Sequence, residues 1–102
     1  MQFIVMGHDG KDTDALPRRM AAREAHLART AAFKQSGQCL YAAALLDAEQ
    51  RMVGSMMVME FADAAELDAW LRDEPYVTGG VWERVETYPC RVPDAFRTRG
   101  GP

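Results

Sequence analysis

A stripe of polar side chains between residues 19 and 30 has the types and the spacing that could do chemistry. The intervals are three or four residues, which places side chains next to one another on a helix. The members of this stripe are Arg19, Arg23, His26 and Thr30. An imidazole titrates near neutral pH and can act as a general acid or base, and nearby guanidinium groups attract anions. The stripe predicts proton transfer on an anionic molecule; the alternative is that His26 only makes a hydrogen bond at the edge of the helix.

A histidine base usually has an acidic partner that fixes its tautomer. Asp9 follows the first apolar run of the chain, and a strand there would run beside the helix, so we expect Asp9 to orient His26. The other histidine, His8, has no cysteine or carboxylate neighbours at the spacing of a metal site. We therefore predict no metal. The sequence also has no phosphate-binding glycine loop and no GxSxG elbow.

Six elements must position these side chains. In chain order they are a strand at 2–7, a helix capped by Asp14 that contains Pro17 and ends at Gln35 before Gly37, strands at 39–46 and 52–61, a helix opened by Asp63 and closed by Pro75, and a strand at 82–92. The order strand, helix, strand, strand, helix, strand predicts an α+β fold. It is the ferredoxin-like βαββαβ arrangement, an antiparallel sheet with both helices on one face.

Apolar residues predict which surfaces are buried. On a helical wheel the residues Leu16, Met20, Leu27 and Ala31 share one side of the first helix, which we expect to face the core. The third strand is apolar on both faces, with Met52, Met56 and Val58 among its side chains. The sheet face away from the helices would then be bare and apolar, and a second copy of the chain is the simplest cover.

Length and composition narrow the possible functions. A chain of 102 residues with a net charge of −3 fits one domain, which we place at residues 1–95, followed by a flexible tail at 96–102. The chain lacks the excess of basic residues that is typical of nucleic-acid binders. It also shows no signal-peptide pattern and no apolar run long enough to span a membrane. Two separated cysteines, Cys39 and Cys90, do not form a disulfide framework. We expect a reduced, cytoplasmic protein that binds neither nucleic acid nor membrane.

Four segments together resemble a known family. They are "FIVMGHD" at the start, "REAHLA" in the first helix, "GSMMVMEF" in the third strand and "DEPYVTGGVWERVETYP" near the end. The chain resembles the YciI-like (YCII-related) proteins of the dimeric α/β-barrel superfamily over roughly residues 2–92. The resemblance implies a ferredoxin-like protomer that pairs sheet to sheet as a homodimer.

The resemblance also implies an active site with a His–Asp pair. His26 and Asp9 match the catalytic pair, and the expected substrate-binding residues are Arg23, Ser55, Glu74 and Tyr76. Two departures stand out. Glu74 precedes Pro75 where the family commonly has Asp, with Asp73 one residue earlier, and the second strand reads Ala-Ala at 43–44 where the family commonly has Gly-Pro. Either Asp73 or Glu74 could therefore line the pocket. The Ala-Ala step would change one wall of the pocket, which suggests a substrate different from that of other family members.

The leading function is a lyase- or isomerase-type enzyme that acts on a small anionic molecule, cyclic or derived from an aromatic compound. His26 would move a proton, Asp9 would orient it, and Arg23 with Tyr76 would hold the substrate. No cofactor is implied by these residues. Two alternatives stay open, a non-catalytic small-molecule-binding or regulatory domain, and a monooxygenase or haem-handling protein of the same superfamily.

Overall fold

The computed structural model describes residues 1–97, and in that part of the chain four antiparallel strands form one sheet. The elements are β1 (Gln2–Asp9), α1 (Ala15–Gln35), β2 (Cys39–Leu46), β3 (Met52–Glu60), α2 (Ala64–Arg72), α3 (Pro75–Thr78), β4 (Trp82–Cys90) and a short 3-10 helix (Asp94–Phe96). The strand order is β2-β3-β1-β4. This is the order of the split βαββαβ fold, and the predicted fold class is confirmed.

The core lies on the face of the sheet that the helices cover. Side chains alternate between the two faces of a strand, and every second residue of β1 from Phe3 to Asp9 is buried. The register with β3 places Gly7 opposite Ser55 on this same face. The buried apolar cluster contains Phe3, Val5, Cys39, Met57, Met59, Phe61, Leu67, Trp70, Tyr76, Val81 and Trp82.

The opposite face of the sheet has an apolar centre, and none of the helices described between residues 1 and 97 covers it. Cross-strand pairs on this face are Ile4 with Val58, Met6 with Met56, Tyr41 with Val58, and Ile4 with Tyr88. The two tyrosines are exposed, and the β1 and β3 residues are half-buried. The pairing of two copies through this face stays a prediction.

The predicted core face of α1 is wrong. Leu16, Met20 and Leu27 are 36%, 51% and 46% exposed, whereas Arg19 and His26 are buried. The helix turns its polar stripe toward the sheet because partners for the charges lie there. Burial of a charge is tolerated when the charge is paired and hydrogen-bonded. The apolar pattern of the helix alone carries no information about those partners.

The second half of the chain contains two short helices that the sequence did not predict, α3 and the 3-10 helix. Asp63 caps α2 as expected, and its carboxylate accepts a hydrogen bond of 2.9 Å from the Glu66 N–H. The helix ends at Arg72, and Pro75 begins α3 instead of closing α2. Proline is favoured in the first turn of a helix because the N–H that it lacks would have no partner there. This short helix places Glu74 and Tyr76 in the site described below.

The tail predicted at residues 96–102 overlaps the described part of the chain at its start, and its flexibility stays a prediction. Phe96 belongs to the 3-10 helix, and the rest of the predicted tail beyond residue 97 lies outside the described residues. Among the helices of residues 1–97, none combines the length and the apolar character that crossing a membrane requires.

Candidate active site

A cavity of about 180 Å³ lies between α1 and the hairpin formed by β2 and β3. Alanines of β2 and methionines of β3 form its apolar wall. Its polar lining consists of Arg19, Arg23, His26, Thr30, Ser55 and Tyr76. The structure thus brings the predicted stripe of α1 together with two of the predicted substrate-binding residues, Ser55 and Tyr76.

A larger and more open cleft of about 960 Å³ lies at the β1–α1 loop and the β2–β3 turn. Several of its charged groups are paired near the surface. Asp47 and Arg51 pair within the cleft, whereas Asp12 pairs with Arg18, and Arg84 and His8 pair with Glu86, outside its lining. Convergent buried polar groups are a better indication of a site than size. We therefore place the candidate active site in the smaller cavity.

His26 is held in one orientation. Its ring is 6% exposed, and its Nδ1 atom is hydrogen-bonded to Oε1 of Glu74. The ring stacks on the Tyr76 ring, with the ring centroids 3.9 Å apart and the planes 13° apart. The second nitrogen, Nε2, lies 3.5 Å from Oγ1 of Thr30. Because the carboxylate is an acceptor, the neutral ring carries its proton on Nδ1, and Nε2 is the nitrogen that can accept a proton.

Glu74 is buried, with 1% of its surface exposed, and its two oxygens have several partners. Arg29 lies 3.3 Å from Oε2, and the Tyr76 N–H donates to Oε1 over 3.2 Å. The position of the Glu74 carboxylate follows from the local sequence, because Glu74 is the N-cap of α3 and its side chain folds back over the first turn of that helix. Asp73 is exposed, so Glu74 is the carboxylate that reaches the site.

Asp9 has a different partner from the one expected. Both of its oxygens accept hydrogen bonds of 3.0 Å from Nη1 of Arg19, and both side chains are almost fully buried. This corrects the expected pairing: the carboxylate on His26 comes from Glu74. The physical reason is that Arg19 lies on the same buried side of α1 and takes up both Asp9 oxygens. Burial raises the pKa of Asp9, and the hydrogen bond and charge of Arg19 act against this rise.

Ser55 is held by Arg19, a member of the predicted stripe, and by Trp82, for which no polar role was predicted. Nη2 of Arg19 donates to its Oγ atom over 2.9 Å, and the indole Nε1 of Trp82 donates to the same atom over 3.2 Å. Trp82 can lie against β1 because Gly7 has no side chain there. A Cβ atom at Gly7 would be 2.3 Å from the indole ring. The alternating pattern of β4 predicted Trp82 only as a strand residue. No feature of the neighbouring sequence indicated its hydrogen bond to Ser55.

Tyr76 lies between the two buried ion pairs. Its ring contacts His26 on one side, and the guanidinium carbon of Arg19 is 4.6 Å from the ring centroid. Burial raises the pKa of Tyr76, and the charges of Arg19 and Arg23 partly oppose this effect. The phenol therefore stays protonated at neutral pH and can donate a hydrogen bond.

Arg23 lines the cavity and is half-buried. Its guanidinium makes no hydrogen bond and no ion pair with any residue between 1 and 97. The cavity therefore contains a positive charge that is available to an anion. Over the same residues there is no cluster of three or more histidine, cysteine or acidic side chains that could bind a metal ion, and Cys39 and Cys90 are free thiols.

Comparison with known proteins identifies relatives over nearly the whole chain. The model of the YCII-related domain matches residues 1–91. Protein YciI of Escherichia coli O6:H1 is 30% identical over 97 residues, which are 89% of this chain and 97% of that protein. An uncharacterized protein of Haemophilus influenzae has the same identity and coverage.

One of the solved structures that share the fold is an enzyme with a bound ligand. It is 5-chloro-2-hydroxyhydroquinone dehydrochlorinase (TftG) from Burkholderia phenoliruptrix AC1100, in complex with 2,5-dihydroxybenzoquinone. The TM-score is 0.80 at 20% sequence identity, and the match covers 93% of this chain and 98% of the other.

Proposed function

This chain belongs to the family of YCII-related domains, and we propose that it is an acid–base enzyme of the lyase or isomerase type that acts on a small anionic molecule. The observation that carries this proposal is the buried pair of His26 and Glu74 beside the unpaired guanidinium of Arg23. A base, a group that orients it and a positive charge that holds an anion are the parts required for proton abstraction.

The proposed reaction begins when Arg23 binds the anionic group of the substrate and Nε2 of His26 removes a proton from an adjacent carbon. Glu74 keeps Nδ1–H in place and stabilises the imidazolium that forms, as a carboxylate does for a catalytic histidine. In a lyase the electron pair then expels a leaving group. In an isomerase the imidazolium returns the proton to another carbon.

The cavity limits the size of the substrate. Pockets for drug-sized ligands have volumes of ~300–1,000 Å³, and the cavity of about 180 Å³ is smaller. This size supports a single-ring compound or a smaller one over haem. The dehydrochlorinase with the same fold was solved with a single-ring quinone, and we propose single-ring hydroxyquinones and lactones as the first compounds to screen.

Hydrogen–deuterium exchange tests this proposal directly. The full chain is incubated in D₂O with chlorinated hydroquinones, 2,5-dihydroxybenzoquinone and small unsaturated lactones, and carbon-bound protons are followed by NMR. We expect exchange or turnover of at least one compound, and a loss of at least ~100-fold in the His26→Gln variant because general base catalysis contributes about 10²–10⁴-fold.

His8→Gln is the matched control for this experiment. His8 pairs with Glu86 at a half-exposed position and does not line the cavity, so its removal should leave the rate unchanged. A rate that survives in His26→Gln would exclude His26 as the base. Binding of a compound with no exchange in the wild type would instead support the non-catalytic binding domain.

A further inference from the structure

The hydroxyl group of Ser55 has only one direction left in which to form a hydrogen bond. A serine oxygen has two lone pairs and one hydrogen, whereas a guanidinium and an indole N–H can only donate. Arg19 and Trp82 both donate to Oγ of Ser55, so both lone pairs are occupied. No residue between 1 and 97 accepts the hydroxyl hydrogen of Ser55.

Neither donor can easily turn away from Ser55. The guanidinium of Arg19 is buried and is held by both oxygens of Asp9. The indole of Trp82 is buried against the backbone of Gly7. Ser55 itself is 3% exposed, and its side chain lines the cavity. A rotation that turns a lone pair of Oγ toward the cavity would aim the hydroxyl hydrogen at Arg19 or Trp82. One of two buried N–H groups would then be unpaired, which is unfavourable.

We propose that Ser55 is a specificity-determining residue that donates a hydrogen bond to the ligand and does not accept one from it. Together with Arg23 it presents two donors to the cavity, and these donors select a ligand whose facing atoms carry no proton. A carboxylate, phenolate or enolate oxygen has this chemistry, whereas an amide N–H or a neutral hydroxyl hydrogen does not. The inference rests on the proposed function in placing the ligand in this cavity.

Trp82→Phe is the variant that tests this role of Ser55. The substitution removes one donor to Oγ and keeps an aromatic ring, so the Ser55 hydroxyl becomes free to turn and accept. The probes are benzoate, which has two acceptor oxygens, and benzamide, which has nearly the same shape but one acceptor oxygen and an NH₂ group that can only donate. Their affinities for the full chain are measured by titration calorimetry.

We expect the wild type to prefer benzoate over benzamide by at least tenfold, and Trp82→Phe to reduce that preference several-fold by gaining affinity for benzamide. Trp70→Phe is the matched control, since Trp70 is buried in the same core and has no hydrogen bond to Ser55. Its preference should equal that of the wild type. Ser55→Ala should lower the benzoate affinity about tenfold.

Three results would overturn the role of Ser55. They are an unchanged preference in Trp82→Phe, an equal reduction in Trp70→Phe, and no binding of benzoate to the wild type at millimolar concentration. The two proposals can fail separately. Loss of proton exchange with intact selectivity for benzoate removes the catalytic function and keeps the Ser55 assignment, whereas exchange without this selectivity removes the Ser55 assignment alone.

Discussion

Asp9 and Glu74 are both buried acidic side chains held by residues of α1, and the way in which each is held differs. Asp9 gives both oxygens to Arg19, a permanent cation. Glu74 divides its oxygens among the titratable His26, Arg29 and the Tyr76 backbone N–H. The first arrangement fixes a charge in place and suits positioning. The second includes a group whose charge can change and suits proton transfer. The same fold thus contains two buried carboxylates in two different environments.

Arg19→Met should break the first arrangement and have the largest effect on stability. Methionine has a similar length and no charge, so Asp9 is left buried without its partner. Removal of one member of a buried pair costs ~3–5 kcal/mol of the free energy of unfolding. Denaturant unfolding at neutral pH measures this loss.

The loss should be smaller at acid pH. The pKa of Asp9 is already raised in the fold by burial, and removal of Arg19 raises it further. The folded state then binds the proton more tightly than the unfolded state, so stability increases as the pH falls through the folded pKa toward 3.8. Arg18→Met is the control, since its pair with Asp12 lies near the surface and should contribute much less than the buried pair. An equal loss in both variants would remove the distinction between the buried and exposed pairs.

Glu74→Gln should have a moderate effect on stability and a clear effect on His26. Glutamine keeps the shape and one acceptor oxygen, so we expect a loss of ~1–3 kcal/mol, below that of Arg19→Met. Because the glutamine amide can present either its oxygen or its NH₂ group to Nδ1, the His26 ring should no longer hold its proton on Nδ1 alone, which ¹⁵N chemical shifts of the imidazole report. Glu74→Leu has no acceptor for the Nδ1–H group, and an unchanged tautomer in that variant would mean that Glu74 does not orient the ring.

Of these variants, Tyr76→Phe should have the smallest effect on stability at neutral pH. The phenyl ring keeps the stacking on His26 and the contact with Arg19, so both ion pairs should persist at neutral pH. The raised pKa of Tyr76 means that the unfolded state ionises first, near pH 10, and that stability falls as the pH rises above this value. Tyr76→Phe should lack the part of the loss of stability above pH 10 that comes from Tyr76, as measured by thermal unfolding at a series of pH values. A steeper decline in Tyr76→Phe would contradict the direction of the shift.

The sequence was sufficient for the fold because its information is local. The turn residues, the cap at Asp63 and the apolar runs each depend on near neighbours, and they placed β2 at the residues where the structure has it. The stripe on α1 was found in the same way, because its spacing is a property of one helix. Its chemistry suggested a cavity, and the structure places a cavity there.

The partners of the stripe were not predictable from spacing. His26 and Glu74 are 48 residues apart, and Ser55 and Trp82 are 27 apart, so only the packed fold brings them together. The choice between Asp9 and Glu74 for His26 depended on where Arg19 points. A wheel that ranks residues by apolarity placed Arg19 on a stripe beside the expected core face, since it cannot foresee a buried ion pair.

The contact between Gly7 and the indole of Trp82 also couples two positions that are 75 residues apart. A side chain at residue 7 has no room while an indole fills that space. A substitution at position 7 therefore requires a smaller residue at position 82, and a chain that makes both changes loses one donor to its serine. Within a family built on this scaffold the two positions should covary. Such a double replacement is a direct evolutionary route from a pocket for oxyanions to one that also accepts amides and alcohols.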